Sequence, residues 1–304
     1  MQSYMNFKKI RTDFAVVLAK LLAKSPNWLI IGFGGFLGWL SWHIPNKRKR
    51  IAARNIDLCF PELSATERQH LLKDNLISTG KGFAEILLAY WGRDKVFLND
   101  VVFEGLQHIQ QAFDAGKGCI LLSCHQHPLE LAIRAINMRI QNKGYMLARQ
   151  HNNKIYEAHV DKARRAHCEK TIDKKDIRSV LKSLKENRAV YYTPDQNFSY
   201  QCLYIDFFNQ PASTVSAPAR LAQKSKATVV PWFSFRLSGG KKLRWKVVIL
   251  EPLKFFHEAD TESSLKQMNL LFEKQIRKHP EQYLWVHRRF KNHPKGKNYP
   301  YRDL

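Results

Sequence analysis

The chain has 304 residues, of which 50 are Lys or Arg and 26 are Asp or Glu, so its formal net charge is +24. Hydrophobic residues make up 44% and aromatic residues 12%, enough for a core, which excludes a wholly disordered chain. Positive charge in this excess favours an anionic partner. The length suits one large α/β domain with appendages, or two smaller domains.

The first predicted element is an apolar segment near the N-terminus. Residues 25–46 form a run of 22 without Asp, Glu, Lys or Arg, close to the roughly 20 residues that a helix needs to span a bilayer. Glycines and prolines weaken the segment, whereas Trp28, Trp39 and Trp42 are typical of the headgroup zone. We predict that residues 1–46 form a membrane anchor, which spans the bilayer or lies in its surface. A buried core helix is the alternative.

Residues 47–304 predict a second domain in which strands and helices alternate. Residues 47–63 are basic and then turn-like, and a capping box of Ser64 and Glu67 opens a helix that runs to about Trp91. The runs typical of strands are 101–105, 119–124, 145–148, 170–172, 189–193, 202–208, 228–236 and 243–250, and the helical runs are 106–116, 128–143, 175–187, 214–226 and 262–279. This alternation predicts an α/β fold with a central, mostly parallel sheet flanked by helices.

A candidate for general base chemistry follows the apolar strand 119–124. Active sites in such sheets lie beyond the carboxyl ends of the strands, which is where His125 is expected. Glu130 comes five residues later, in the first turn of the next helix. A carboxylate that reached back to the imidazole would fix its tautomer and raise its basicity. On spacing alone, chance explains such a pair more often than function does.

Two other interpretations of this patch are weaker. Cys124, His125 and His127 are ligand types, but no second cluster with metal-ligand spacing follows. Cys124 as a thiol nucleophile is disfavoured because it continues the apolar strand, and buried cysteines are usually inert. The five cysteines are widely spaced without a CxxC pair, which predicts reduced thiols in a cytosolic compartment.

The run GKGCILLSCHQHPLEL resembles the His-x4-Asp/Glu motif of the lysophospholipid acyltransferase superfamily. Over nearly its whole length the chain is similar to the late acyltransferases of lipid A biosynthesis, the lauroyl/myristoyl transferase branch. The other matching stretches are RKRIAARNIDLCFPELSATER (48–68), LARQHNN (147–153), YYTPDQN (191–197), DFFNQPASTVSAPARLA (206–222), VVPWFSFR (229–236) and LWVHRRFK (284–291). The chain departs from the family in the Gln-His-Pro-Leu filling of the motif and in Asn209, where glycine is common.

The resemblance implies an O-acyltransferase with a glycerol-3-phosphate acyltransferase-like fold. Such an enzyme moves a fatty acyl chain from an acyl-carrier-protein thioester to a hydroxyl of a lipid A precursor, a late step of lipopolysaccharide or lipooligosaccharide biosynthesis, without a metal or cofactor. His125 would take the hydroxyl proton, and Glu130 would hold the ring. The expected location is the cytoplasmic side of the inner membrane, where anionic lipids meet the basic chain. The alternative is acylation of another glycolipid or a lysophospholipid, with acyl-CoA as the donor.

Further site residues are expected near the same sheet edge. Arg149 or Arg164 is expected to stabilise the oxyanion or to bind phosphate on the acceptor, although a solvated surface charge is an equal alternative. Asp195 and Gln196 follow the strand at 189–193. We predict that Asp195 positions Arg149 or Arg164, with a turn or helix-cap role as its alternative.

The remaining candidates are basic residues toward the C-terminus. Arg236 ends a strand and Arg288 lies in an aromatic-flanked segment, so both are expected to contact anionic headgroups, with ion pairs as the alternative. From Arg277 onward there are eight Lys or Arg against two Asp or Glu, which predicts a docking surface for an acidic partner. Nucleic-acid binding is the rival function, but the basic residues are dispersed and no zinc-finger or RNP-like motif occurs. A membrane-bound scaffold without activity also stays open.

Overall fold

The computed structural model describes residues 2–148, 152–173, 176–237 and 243–304, with side chains described from residue 9 onward. The described strands are β1 (Val101–Glu104), β2 (Cys119–Leu122), β3 (Tyr145–Ala148), β4 (Lys170–Asp173), β5 (Ala189–Tyr192), β6 (Cys202–Phe207), β7 (Gln210–Val215), β8 (Thr228–Leu237) and β9 (Arg244–Ile249). Seven of them form one sheet in the order β1-β9-β8-β2-β5-β3-β4, and β6 pairs with β7.

The seven-stranded sheet is mostly parallel, as predicted. Every neighbouring pair is parallel except β8 and β9, which are antiparallel. β6 and β7 form an antiparallel hairpin whose two turn residues, Phe208 and Asn209, both have positive φ (52° and 56°). A two-residue hairpin turn of this kind favours Asn or Gly, which explains the asparagine at position 209.

Helices surround this sheet. They are α1 (Gln2–Leu22), α2 (Asn27–His43), α3 (Lys47–Cys59), α4 (Ala65–Trp91), α5 (Asp94–Asn99), α6 (Gln107–Asp114), α7 (Leu129–Asn137), α8 (Lys154–Arg165), α9 (Ile177–Lys185), α10 (Ala217–Ser225), α11 (Phe255–Glu258) and α12 (Thr261–Ile276). Alternate residues of β2 enter two separate hydrophobic clusters, Ile120 and Leu122 in one and Cys119 and Leu121 in the other. Both faces of the sheet are therefore covered, as a parallel sheet requires.

The predicted elements differ from the structure in several places. Residues 47–59, predicted to be basic and turn-like, form α3. Asn46 caps the N-terminus of this helix, because its side-chain oxygen accepts a hydrogen bond from the Lys49 backbone N–H. The helix predicted from 214 begins only at Ala217, because residues 214–215 complete β7. Helix α8 was not predicted. The capping box of α4 is present as expected.

The apolar N-terminal segment forms α2, which packs tightly on α4. A Cβ added at Gly38 would lie 2.3 Å from the Leu76 carbonyl oxygen, and one at Gly34 would lie 2.6 Å from the Gly80 carbonyl oxygen. Glycine is required at both positions because the helix backbones approach so closely. No helix among the described residues combines the length and apolar character needed to cross a membrane. The prediction of a spanning anchor is therefore not supported.

Candidate active site

His125 and Asp195 meet at the carboxyl edge of the sheet. β2 and β5 are parallel neighbours, with Leu122 opposite Tyr192. His125 comes three residues after Leu122, and Asp195 comes three residues after Tyr192. The strand register therefore brings these two residues level with each other. The Nδ1 of His125 lies 2.6 Å from Asp195 Oδ1, and the backbone N–H of His125 donates to Asp195 Oδ2 at 2.9 Å. Two hydrogen bonds therefore fix the ring against one carboxylate.

A third donor and burial set the charge state of this pair. The Tyr283 hydroxyl donates to Asp195 Oδ2 at 2.9 Å, and the Asp195 side chain is only 1% exposed. Burial raises the pKa of Asp195, but the charge and hydrogen bonds of His125, with that of Tyr283, outweigh it and lower the pKa to about 2. Burial lowers the pKa of His125, whereas the Asp195 carboxylate more than reverses this and raises it.

This geometry selects one tautomer of His125. Because an ionised carboxylate only accepts hydrogen bonds, the ring proton sits on Nδ1. The Nε2 lone pair then has no hydrogen-bond partner within the described residues. The side chain keeps 24% of its surface exposed, and His125 lines a cavity. Such an arrangement can accept a proton from a bound hydroxyl group.

The prediction that Glu130 holds the His125 ring is wrong in this structure. Glu130 Oε1 instead accepts from Arg164 Nη2 at 2.5 Å and from the Tyr90 hydroxyl at 3.2 Å. The two acids have exchanged their predicted partners, because Asp195 was expected to bind an arginine. The pairing register of β2 and β5 places Asp195 beside Nδ1 of His125. Helix α7 instead directs Glu130 toward Arg164 of α8 and Tyr90 of α4.

Glu130 and Arg164 form a second polar group in the wall of the same cavity. Their side chains are 14% and 7% exposed. Burial lowers the pKa of Arg164, but the Glu130 carboxylate raises it by more than burial lowers it. The net effect is a raised pKa, so the guanidinium stays charged. Arg164 Nε and Nη1 and Glu130 Oε2 are buried without a hydrogen-bond partner among the described residues. The site thus holds a fixed cation with spare donors close to His125.

The cavity has a volume of about 350 Å³ and combines a polar end with apolar walls. His125, Glu130, Arg164 and Gln196 line it, as do Ile86, Leu129, Ile133, Met146 and Leu147. A second cavity of about 560 Å³ shares Thr79, Phe83 and Leu284 with it and is otherwise lined by residues of α2, α4 and 284–287 and by Asn46 and Arg48 at the start of α3. Two adjoining cavities with mixed linings can hold a reacting polar group together with an alkyl chain.

The other predicted arginines have three different outcomes. Arg149 lies outside the described residues. Arg236 is 7% exposed and donates to both carboxylate oxygens of Glu85 at 2.8 and 2.7 Å. This buried arrangement matches the ion-pair alternative and not a headgroup contact. Arg288 is half-buried over the Tyr301 ring, with the guanidinium carbon 5.9 Å from the ring centroid.

Sequence reasoning missed three contributors to the site. Tyr90 and Tyr283 bind the two carboxylates, and His287 Nε2 accepts from the Asn197 backbone N–H at 3.2 Å. Burial lowers the pKa of His287 to about 4, so it stays a neutral acceptor that pins the loop after Asp195. No local pattern reveals Tyr283, because 88 residues separate it from Asp195.

Cys124 does not have the properties of a nucleophile. Its side chain is fully buried, and burial raises the pKa of the thiol well above its ordinary value. The thiolate, which is the reactive form, is therefore disfavoured. No group of three or more metal-ligating side chains occurs in the part of the chain that the structure describes.

Comparison with known proteins identifies the family of this chain. Residues 4–292 match the family of bacterial lipid A biosynthesis acyltransferases. The chain is 31% identical to the lipid A biosynthesis lauroyltransferase of Escherichia coli (strain K12), over 91% of this chain and 90% of the relative. It is 29% identical to a lipid A biosynthesis acyltransferase of Haemophilus influenzae, over 88% and 85%, and 27% identical to the E. coli lipid A biosynthesis palmitoleoyltransferase, over 94% and 93%. The chain belongs to the bacterial lipid A biosynthesis acyltransferase family and is an acyltransferase.

Proposed function

We propose that this protein transfers a fatty acyl chain from an acyl-carrier-protein thioester to a hydroxyl of a lipid A precursor, with His125 as the general base and Asp195 as the residue that orients it. The observation that carries the proposal is the pair of hydrogen bonds from His125 to the buried Asp195, at the wall of a cavity with apolar sides. Family membership supplies the reaction class.

In the proposed reaction, Nε2 of His125 removes the proton of the acceptor hydroxyl as its oxygen attacks the thioester carbonyl. A C–O bond forms, and the carbonyl electron pair moves to oxygen to give a tetrahedral oxyanion. When this collapses, the C–S bond breaks and the imidazolium returns its proton to the departing thiolate. Asp195 stabilises the imidazolium between these steps. Direct transfer requires no nucleophile from the protein.

Arg164 is the proposed source of positive charge for an anionic group in the cavity. A preorganised cation in a buried site stabilises the developing oxyanion, or binds an acceptor phosphate, more strongly than it would in water. Glu130 positions the guanidinium through its 2.5 Å hydrogen bond. We therefore assign Glu130 to the positioning of Arg164 and Asp195 to the positioning of His125.

We further propose that the protein lies on the cytoplasmic surface of the inner membrane through α1 and α2. Large apolar side chains on these helices are exposed, among them Phe14, Trp28, Phe33 and Phe36, at 70%, 71%, 52% and 53%. Such a surface suits insertion at the headgroup boundary. The net charge of +24 supports attraction to anionic lipids and to an acidic carrier protein.

The test is an acyl-transfer assay with purified protein in detergent. Acyl carrier protein and CoA donors are offered in parallel, with a tetra- or penta-acylated lipid A precursor, and mass spectrometry detects the added chain. The mass gain should disappear in His125→Ala and persist in His70→Ala, a matched change at an exposed histidine on α4.

Each other outcome removes a different part of the proposal. A gain with CoA alone removes the carrier-protein donor. No gain with either donor from folded protein removes the lipid A precursor as acceptor, and lysophospholipids and other glycolipids would then be offered. Full activity of His125→Ala removes the assignment of the base.

A further inference from the structure

A third cavity, of about 520 Å³, lies where the turn between α1 and α2 meets α5. It has no lining residue in common with the cavity that contains His125. Any ligand that it binds is therefore separate from the reacting groups.

Three cations line this cavity: Lys24, Arg93 and Lys95. Each is exposed, and none of the three side chains has a hydrogen bond or ion pair with another described residue. The acid among the lining residues, Asp100, is 7% exposed, and its Oδ2 accepts from Asn27 Nδ2 at 3.1 Å. The cavity therefore carries a net positive charge, and an anion is the ligand that this charge favours.

The position of the cavity indicates the source of the anion. Trp28, 71% exposed, is one of the lining residues and begins the exposed apolar side chains of α2. Tryptophan prefers the level of lipid headgroups. A cluster of cations beside it would lie where the phosphates of a bilayer lie. Arg93 adds a planar fork of donors that matches phosphate oxygens.

We propose that this cavity binds the phosphate of an anionic phospholipid headgroup, with Lys24, Arg93 and Lys95 as its ligands. The inference rests on the proposed membrane association of α1 and α2. Each cation near an anionic surface strengthens binding about fivefold. The three together should contribute a preference on the order of 100-fold for anionic over zwitterionic vesicles.

The experiment measures binding of the whole protein to vesicles by co-sedimentation. One set of vesicles is phosphatidylcholine, and the other is an equimolar mixture of phosphatidylcholine and phosphatidylglycerol. The test variant combines Lys24→Gln, Arg93→Gln and Lys95→Gln. The control variant combines Lys117→Gln, Lys185→Gln and Lys224→Gln, which remove the same charge from exposed positions shortly before β2, β5 and β8.

The expected result is that the test variant loses the preference for anionic vesicles but still binds phosphatidylcholine, whereas the control variant keeps the preference. Equal loss in both variants would show diffuse charge attraction, and no loss in the test variant would leave the cavity without a role. Either overturns the site. If inorganic phosphate, but not chloride of equal ionic strength, abolishes the preference, the ligand is free phosphate and the lipid assignment is wrong. Wild-type protein that binds neither vesicle overturns membrane association itself, which distinguishes that failure from the others.

Discussion

Replacing Asp195 with asparagine tests the assignment of the general base most directly. The carboxylate accepts three hydrogen bonds, at Oδ1 from His125 Nδ1 and at Oδ2 from the His125 backbone N–H and the Tyr283 hydroxyl. An amide offers one oxygen and one NH₂ group. If NH₂ took the Oδ2 position, it would face a backbone donor that cannot reverse its role. NH₂ therefore takes the Oδ1 position, and His125 responds by moving its proton to Nε2.

This exchange removes the lone pair that is proposed to receive the substrate proton. General base catalysis contributes about 10²–10⁴-fold, and the corresponding change in a Ser-His-Asp enzyme lowers kcat by about 10⁴ through the same wrong tautomer. We expect kcat to fall by about 10²–10⁴-fold with KM little changed, because Asp195 is 1% exposed and cannot contact the substrate.

The pH profile supplies a second readout. The base must be neutral, so activity rises as pH increases through the pKa of His125, which Asp195 holds above its ordinary value. Loss of that charge lowers the pKa, and the acid limb of kcat/KM should move to lower pH.

The assay compares initial acyl-transfer rates of wild type, Asp195→Asn and Glu130→Gln over pH, after matched folding by circular dichroism. Glu130→Gln removes a charge from the same cavity but loosens Arg164 instead of His125, so its acid limb should move less. Wild-type activity in Asp195→Asn, together with inactivity of Glu130→Gln, would refute the assignment and return Glu130 to the role predicted from the sequence.

Three further outcomes are expected. Because the pKa of Asp195 falls from 3.8 to about 2 on folding, its carboxylate stabilises the fold above the unfolded pKa by about 2 kcal/mol. This contribution is lost as pH falls through 2. The free energy of unfolding, measured in urea, should therefore decrease more steeply with falling pH in wild type than in Asp195→Asn. Parallel pH dependences of the two proteins would contradict the pKa shift. Gly38→Ala should lower the free energy of unfolding by about 1–3 kcal/mol, and with it Tm, because the added Cβ meets the Leu76 carbonyl. Gly32→Ala in the same helix should not lower Tm, because its added Cβ meets nothing within 4 Å. Equal melting temperatures of the two variants would contradict the close packing of α2 on α4. Cys124→Ala should retain acyl transfer without an acyl-protein adduct by mass spectrometry, and an adduct on wild-type Cys124 would contradict direct transfer.

Much of the fold follows from the order of residues along the chain. Short apolar runs such as 119–124 and 189–193 predict buried strands, since both faces of a parallel sheet are covered, and the capping box at Ser64 and Glu67 fixes the start of α4. Helix α3 escaped prediction because its buried residues, such as Ile51 and Ile56, are diluted by basic ones. Strand β7 escaped because its partner, β6, defines it through pairing and not through composition.

The sequence by itself indicated the reaction class, through its resemblance to a family, and drew attention to His125, Glu130 and Asp195 as candidates. Only the tertiary structure decided which acid serves which base. Spacing along the chain favoured Glu130 for His125, but strand register across the sheet delivers Asp195 from 70 residues away, and α7 turns Glu130 toward Arg164. Tyr283 joins from a still more distant segment. Hydrogen bonds depend on the distance between two groups in space. The number of residues between them predicts that distance only within a turn or a helix.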